Sequence, residues 1–575
     1  MCALRGRSRL LLCTLAGGLA AAALLTAARA AQTPETARPA PGAVDVSAHL
    51  KGNADESAAF QTLVREHRHV RIPAGFALTI DRAILVPPDT LIEGPGTIHL
   101  AAQGASLVLD ERCTVRDLRF TCANAFAHGA AITMAATRQG EVRRMDSCIT
   151  GCRFEKMRGH ALRAVEVAHI AFERNQWENH SDSAQYYNAT LLMAVHQSRF
   201  RDNTVLHPNQ GLLFRGGSCN TVTGNYIENC LQGISCHTTG AHPRHWPYTL
   251  FAHNVIANNV IKRHREEGIT YDNSMGETPA VNAAQNQVRA VATVKAVQAA
   301  DRNRFRVVIN EPANPDKAYA QGWADGYYVG VLTGEAAATL LEVIDSGVDG
   351  EAWIDLPRPA EQLPGRLRPG DRLWIAAGCF YNVIADNVID NTGMVSGHGN
   401  ATCVGLWGAA WYNRIAGNIC TTRQYGITLG CVGLQPPNSP QGPSAGNVIT
   451  QNTIAASWRN KTTTLEDKSL GAIANVYIGE GQLLDGRMFL GNQITHNIIS
   501  WAGGPALRLA RDHGSWLAFN QVSGQAAPIA MDHTTNAILE GNRSVDGTVI
   551  RRTSETGPCS YRVLDPGSAV SPAPK

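Results

Sequence analysis

Aromatic residues are scarce in this chain, at 6% of 575 residues, and its charge is nearly balanced at +3. No stripe of Lys and Arg with interleaved aromatics is present, which excludes a nucleic-acid binder as the first reading. No Cys-x-x-Cys pair occurs among the fourteen cysteines, so the spacing of a zinc or thioredoxin-type site is missing. Beyond residue 30 no apolar run approaches the ~20 residues that cross a bilayer. Apolar residues alternate with period two and not 3.6, which excludes a helical repeat.

The amino terminus carries Arg5, Arg7 and Arg9, an apolar run from Leu10 to Leu25, and the small-x-small site Ala28-Arg29-Ala30. These are the parts of a secretory signal peptide, residues 1–30, and predict a periplasmic or secreted protein without membrane insertion after cleavage. Residues 31–44, rich in Pro, Ala and Thr, read as a linker. Export permits disulfides. Cys148 and Cys152 are close in sequence, and Cys219, Cys230 and Cys236 fall on neighbouring repeats. Bridges between repeats and buried free thiols both fit that placement.

Three lines between Asn203 and Asp272 set the architecture. They run Asn203-Thr-Val to Gly211-Leu-Leu-Phe-Arg215, Asn225-Tyr-Ile to Gly233-Ile-Ser-Cys-His237, and Asn259-Val-Ile to Gly268-Ile-Thr-Tyr-Asp272. Its Asn-aliphatic part returns at Asn387, Asn418, Asn452, Asn497 and Asn520, and more weakly at Asn542. The shortest period, roughly 22 residues, is that of a stacked repeat. One coil cannot bury its own inward side chains. Coils stacked about 4.8 Å apart pair their backbones and share a core, which is a parallel β-helix. The recurrent Asn suits a corner, where it tolerates left-handed backbone and bonds nearby main chain or its equivalent in the next coil. The recurrent Gly is read as serving the next bend.

The opening segment, Asp45 to Gln61, leads into a short helix, then Val70-Arg-Ile-Pro-Ala-Gly75 and Leu91-Ile-Glu-Gly-Pro-Gly-Thr-Ile98. It resembles the start of the pectate-lyase-like superfamily of right-handed parallel β-helices. The resemblance implies an all-β, right-handed solenoid with an N-terminal capping helix, and a carbohydrate-active enzyme. It covers most of residues 45–550. The repeat vanishes over residues 277–377, where β-rich runs such as Arg306-Val-Val-Ile309 and Tyr327-Tyr-Val-Gly-Val331 predict an inserted small β-domain or flap that walls a groove. The expected division is therefore solenoid 45–276, insert 277–377, solenoid 378–555 and tail 556–575.

Alternation along the strands puts Arg215, His237 and Asp272 in one outward column on consecutive coils, with Arg163 extending it. A second column, just before the Gly, reads Gln210, Gln232, Glu267 and Tyr425, with Glu266 beside it. Next to it, Arg265 and the loop residues His242, His245, Trp246 and Tyr248 are candidates for holding a polysaccharide. A further strip, Ser396-Gly-His398-Gly399 with Trp407 and Trp411, is read as chance.

This constellation predicts a polysaccharide lyase. Arg215 or Arg265 would neutralise a uronate carboxylate, His237 would take the proton, and Asp272 or Glu267 would orient His237 or hold a Ca²⁺, the one cofactor the site suggests. A glycoside hydrolase built on Glu266, Glu267 and Asp272 is the alternative. An epimerase using the lyase constellation, or a non-catalytic surface scaffold or adhesin, completes the set. The familiar Arg-x-Pro-x-x-Arg and calcium-site signatures of pectate lyases are absent from the sequence.

Overall fold

A computed structural model describes residues 42–52, 55–123, 129–138, 141–179, 187–237, 250–272, 288–310, 321–357, 366–376, 378–392, 402–422, 425–432, 443–456, 471–478, 488–501, 505–523, 528–550 and 553–564. The chain divides into two units, Met1–Val44 and Asp45–Lys575. The leader lies outside the described residues. Among the described residues no helix is long and apolar enough to cross a membrane.

The second unit is a stack of parallel strands. They form sheets of 35 and 14 strands, each pairing in register with the strand one coil on. Inward positions repeat as aliphatic files, for example Leu212, Ile234, Ile269, Val404, Ile427 and Ile473 in one sheet. Ile227, Ile261, Ile389, Cys420 and Ile454 face them from the other sheet. At the start of the stack, the helix Ser57–Glu66 buries Phe60, Leu63 and Val64. Its Gln61 amide donates to the Leu85 carbonyl at 2.8 Å and accepts from the Leu85 N–H at 2.7 Å. That is the pair of bonds a further strand would have made on this edge.

Asparagines hold the corners in two ladders. In the first, Asn175, Asn203, Asn225, Asn259, Asn387, Asn418, Asn452, Asn497, Asn520 and Asn542 follow one another. Each gives both its backbone N–H and its Nδ2 to the Oδ1 of the next, as Asn418 does to Asn452 at 3.0 and 2.9 Å. The second ladder runs Asn220, Asn254, Asn382, Asn413, Asn447 and Asn492. Ser198 donates into its start and Ser515 accepts at its end.

Two details of the corner differ from the sequence reading. The left-handed residue is the one before each Asn, as in Asp202, Tyr381, Asp386 and Phe519, and the Asn itself is spared it. The recurrent Gly does not make a bend either. A Cβ on Gly211, Gly233 or Gly268 would sit 2.9, 2.7 or 2.4 Å from the side chain of Ile227, Ile261 or Ile389, so Gly is needed for room.

Between Val288 and Ala376 the strands form a separate antiparallel sheet of seven. It has its own core, including Phe305, Val307, Val329, Ile354 and Leu373. It also packs on the outside of the solenoid. Trp374 stacks on Trp411 at 6.2 Å between centroids, and Tyr328 meets Phe380 at 4.9 Å. The approach is close enough that a Cβ on Gly330 would lie 2.6 Å from Trp411. The solenoid resumes at Cys379–Phe380, which pairs with Phe251–Ala252. Eleven cysteines between Cys113 and Cys559 are free thiols, most of them buried.

Candidate active site on the outer face

Three carboxyl residues sit on or beside one strand, Glu267–Asp272. Gln232, one coil earlier, brings two of them together. Its Nε2 donates to Glu266 Oε2 at 3.0 Å and to Glu267 Oε2 at 2.9 Å, while its Oε1 accepts from Gln210 Nε2 at 2.9 Å. The column then runs from Glu267 through Thr402 to Tyr425 in register. Thr402 was not anticipated from the sequence.

Glu267 is buried, and burial pushes its carboxyl well above the ordinary carboxylate range. The charges of Asp272 and Glu266 push the same way, and the bond from Gln232 opposes them. Its surroundings thus favour the protonated form more than those of the carboxyl groups beside it, a difference of the kind that divides acid and base roles between groups of one kind. Glu266 and Asp272 are half-buried. His264 is fully buried one turn before, and its Nδ1–H donates to the Glu266 carbonyl at 3.1 Å. Burial lowers its pKa to about 4, so the ring braces this corner without charge.

Register aligns His237 with Asp272, and Asp272 with Trp407. Only the backbone of His237 is described, and Arg215 lies at the end of the register that pairs Phe214 with Cys236. Trp407 thus belongs to the column. Its ring lies flat along the sheet because two neighbours lack side chains. A Cβ on Gly405 would be 2.8 Å from Trp407 Nε1 and 3.3 Å from Glu267 Cγ, and one on Gly430 would be 2.0 Å from the ring. The glycines in the Gly405 and Gly430 positions are the signal that could have revealed this. Trp411 is buried between solenoid and antiparallel sheet. Ser396, His398 and Gly399 lie outside the described residues.

Arg215 is half-buried, and its Nε is enclosed without a hydrogen-bond partner. Burial lowers the guanidinium pKa. Arg163 does not extend this column. It pairs with Leu191, and Leu191 with Leu213, so it stands two residues away along the strand, where it is exposed. The row leading to Arg215 is Val165 and Met193. Arg265 is exposed at the corner before Glu266. His242, His245, Trp246 and Tyr248 lie outside the described residues.

Among the described residues no group of three His, Cys, Asp or Glu side chains is arranged to hold a metal ion.

Residues 106–306, about a third of the chain, match the family model described as right handed beta helix region. The matched stretch and the register of the strands together define a right-handed parallel β-helix. No curated protein matches the chain. Among solved structures, the chain is similar to a tailspike protein of E. coli bacteriophage HK620 in complex with a pentasaccharide, at 9% identity and TM-score 0.39, covering 92% of this chain and 77% of that one. It is similar to the Agl-KA catalytic domain at 9% identity and TM-score 0.41, covering 92% and 69%. It is also similar to the catalytic unit of a GH87 alpha-1,3-glucanase from Streptomyces thermodiastaticus, at 10% identity and TM-score 0.37, covering 94% and 71%. Likenesses at this level carry no argument about the reaction, which has to come from the site.

Proposed function

We propose that this protein is a carbohydrate-active enzyme that hydrolyses a polysaccharide on the outer face of its β-helix, with Glu267 as the general acid. The supporting observation is the buried Glu267, tied through Gln232 to Glu266, with Asp272 on the same strand and burial favouring its protonated form. Glycoside hydrolysis needs one carboxyl to protonate the leaving oxygen and a second, ionised, to activate water or attack the sugar carbon. Glu267 suits the first role. Asp272 and Glu266, less buried, suit the second. The reading places the protein outside the cytoplasm, on the strength of its amino-terminal sequence.

A second reading, β-elimination of a uronate chain, draws on Arg215. A half-buried guanidinium whose Nε has no protein acceptor suits an anionic group brought by the substrate. His237 would be its base.

Incubation with a panel of neutral and uronate polysaccharides, following reducing ends and ultraviolet absorbance together, tests both. New reducing ends without absorbance are expected. Absorbance from an unsaturated sugar would replace hydrolysis by elimination, and neither signal on any substrate would remove the enzyme reading.

A further inference from the structure

Inside the solenoid, the coil that follows Glu267 breaks a rule its neighbours keep. Gly211, Gly233, Gly268 and Gly426 each face an isoleucine of the opposite sheet. A Cβ on them would lie 2.9, 2.7, 2.4 and 2.5 Å from Cγ2 of Ile227, Ile261, Ile389 and Ile454. Between Gly268 and Gly426 the glycine file holds Cys403, since the adjacent Thr402 pairs with Glu267 on one side and Tyr425 on the other. The isoleucine file is broken in the same coil, where Cys420 stands between Ile389 and Ile454. A side chain has entered the file that had room for none, and the branched chain opposite has gone. Both changes fall on cysteine.

The two thiols meet. Cys403 and Cys420 are 0 and 1% exposed, and both are free in the structure. The Cys403 Sγ lies 3.7 Å from the carbonyl oxygen of Ile389, the residue that pairs with Cys420. Burial pushes the Cys403 thiol well above its ordinary value, and the Cys420 thiol hydrogen-bonded to it pushes the same way. The neighbouring coils set the span. Each isoleucine Cγ2 is one bond, about 1.5 Å, from its Cβ, so two Cβ atoms in these files stand no more than roughly 4.4 Å apart. A disulfide joins Cβ atoms about 3.5–4.5 Å apart.

We infer that Cys403 and Cys420 form a cross-linking site, closed as a disulfide when the chain folds among disulfide oxidants. The oxidant is a disulfide-bearing protein or small molecule of the compartment that export would supply. One cysteine thiolate attacks a sulfur of that disulfide and displaces a thiol. The second cysteine thiolate attacks the mixed disulfide and displaces the other thiol. Two electrons and two protons pass to the oxidant, which leaves as two thiols. The closed core offers neither access nor a thiolate, so the bond is made before the coil is covered. It ties the strand Thr402–Trp407, beside Glu267, to the facing sheet. The inference rests on the reading of the chain as exported for its oxidant, and on nothing in the reading of Glu267.

Cell-free synthesis of the full chain, with oxidised glutathione or with dithiothreitol, tests the pair apart from export. Free thiols are blocked with N-ethylmaleimide in denaturant, and the unreduced tryptic digest is read by mass spectrometry. Cleavage after Arg372, Arg414 and Arg423 separates Cys403 from Cys420. With glutathione, peptides 373–414 and 415–423 are expected joined, lighter by two hydrogens than their sum, and fragmentation should place the link at Cys403 and not at Cys379. With dithiothreitol both cysteines should carry the block. Cys403→Gly combined with Cys420→Ile, the pairing of the neighbouring coils, should fold by circular dichroism and lose the joined species. A folded glutathione product with both cysteines blocked, or with either joined elsewhere, would overturn the inference. A joined pair in the cell-free product, in a chain that cells retain in the cytoplasm, would uphold the cross-link and sink the exported location.

Discussion

Gln232 donates to Glu267 at 2.9 Å across the gap between one coil and the next. The bond favours the ionised form of Glu267, against burial and the neighbouring carboxylates that favour the neutral one. A general acid works only while protonated, so activity should fall as pH rises through the Glu267 pKa. Replacing Gln232 by Met removes the donor, raises that pKa further, and should move the alkaline limb of the pH–rate profile upward. Glu267→Gln should reduce the rate by about 10²–10⁴-fold, the usual worth of a placed proton donor. Its thermal midpoint should not fall, since no buried charge is left unpaired. A downward shift of the limb in Gln232→Met would contradict the assignment.

Trp407 depends on the absence of side chains beneath it. Gly430→Ala would put a methyl 2.0 Å from the ring and force the indole off the sheet. Overpacking of this kind costs about 1–3 kcal/mol. The expected result is a folded protein with a lowered midpoint and little activity, read by denaturation and reducing-end assays. Trp407→Phe, which keeps an aromatic ring over the same glycines, should retain folding.

Asp512 lies inside the solenoid, accepting from Asn475 Nδ2 at 2.6 Å and Ser515 Oγ at 2.8 Å. Burial raises its pKa from 3.8 to about 7. The folded state thus holds this proton more tightly than the unfolded one. The stability it contributes is complete below pH 4 and is lost as pH climbs through 7. Asp512→Asn should flatten the dependence of the thermal midpoint on pH across that window. An unchanged slope would show that Asp512 does not set it.

A mid-ladder asparagine should matter far more than its exposure suggests. In Asn418→Ala, Asn387 loses the acceptor for both its backbone N–H and its Nδ2. Two orphaned donors at ~1–3 kcal/mol each imply a loss of roughly 2–6 kcal/mol. Hydrogen exchange at the Asn387 amide should rise before that of distant coils, because contacts in a solenoid are nearest-neighbour.

From Asn203 on, the first asparagine ladder was legible because most rungs add an aliphatic residue two positions on, a pattern that survives loops of any length. The second was equally present in the letters, as Asn220, Asn254, Asn382, Asn413, Asn447 and Asn492, each five residues ahead of a first-ladder Asn. It called for reading doublets and not single rungs. The register of Arg215, His237 and Asp272 followed from strand alternation. The displacement of Arg163 did not, since the turns between coils vary in length and only pairing fixes the register. The burial of the outward Ser235 and Thr270 was beyond reach for a different reason: alternation says which way a side chain points and nothing of what lies over it.

The ladders also have a direction. Each asparagine gives its hydrogens to the coil that follows, so any stack that stops early ends in donors still waiting for an oxygen. The chain leaves the ribosome in that same order, and every finished coil becomes the template for the next. Between Asn259 and Asn387 the template has to wait through 128 residues. The antiparallel sheet, with a core of its own, occupies that interval, the longest separation between successive rungs of the ladder.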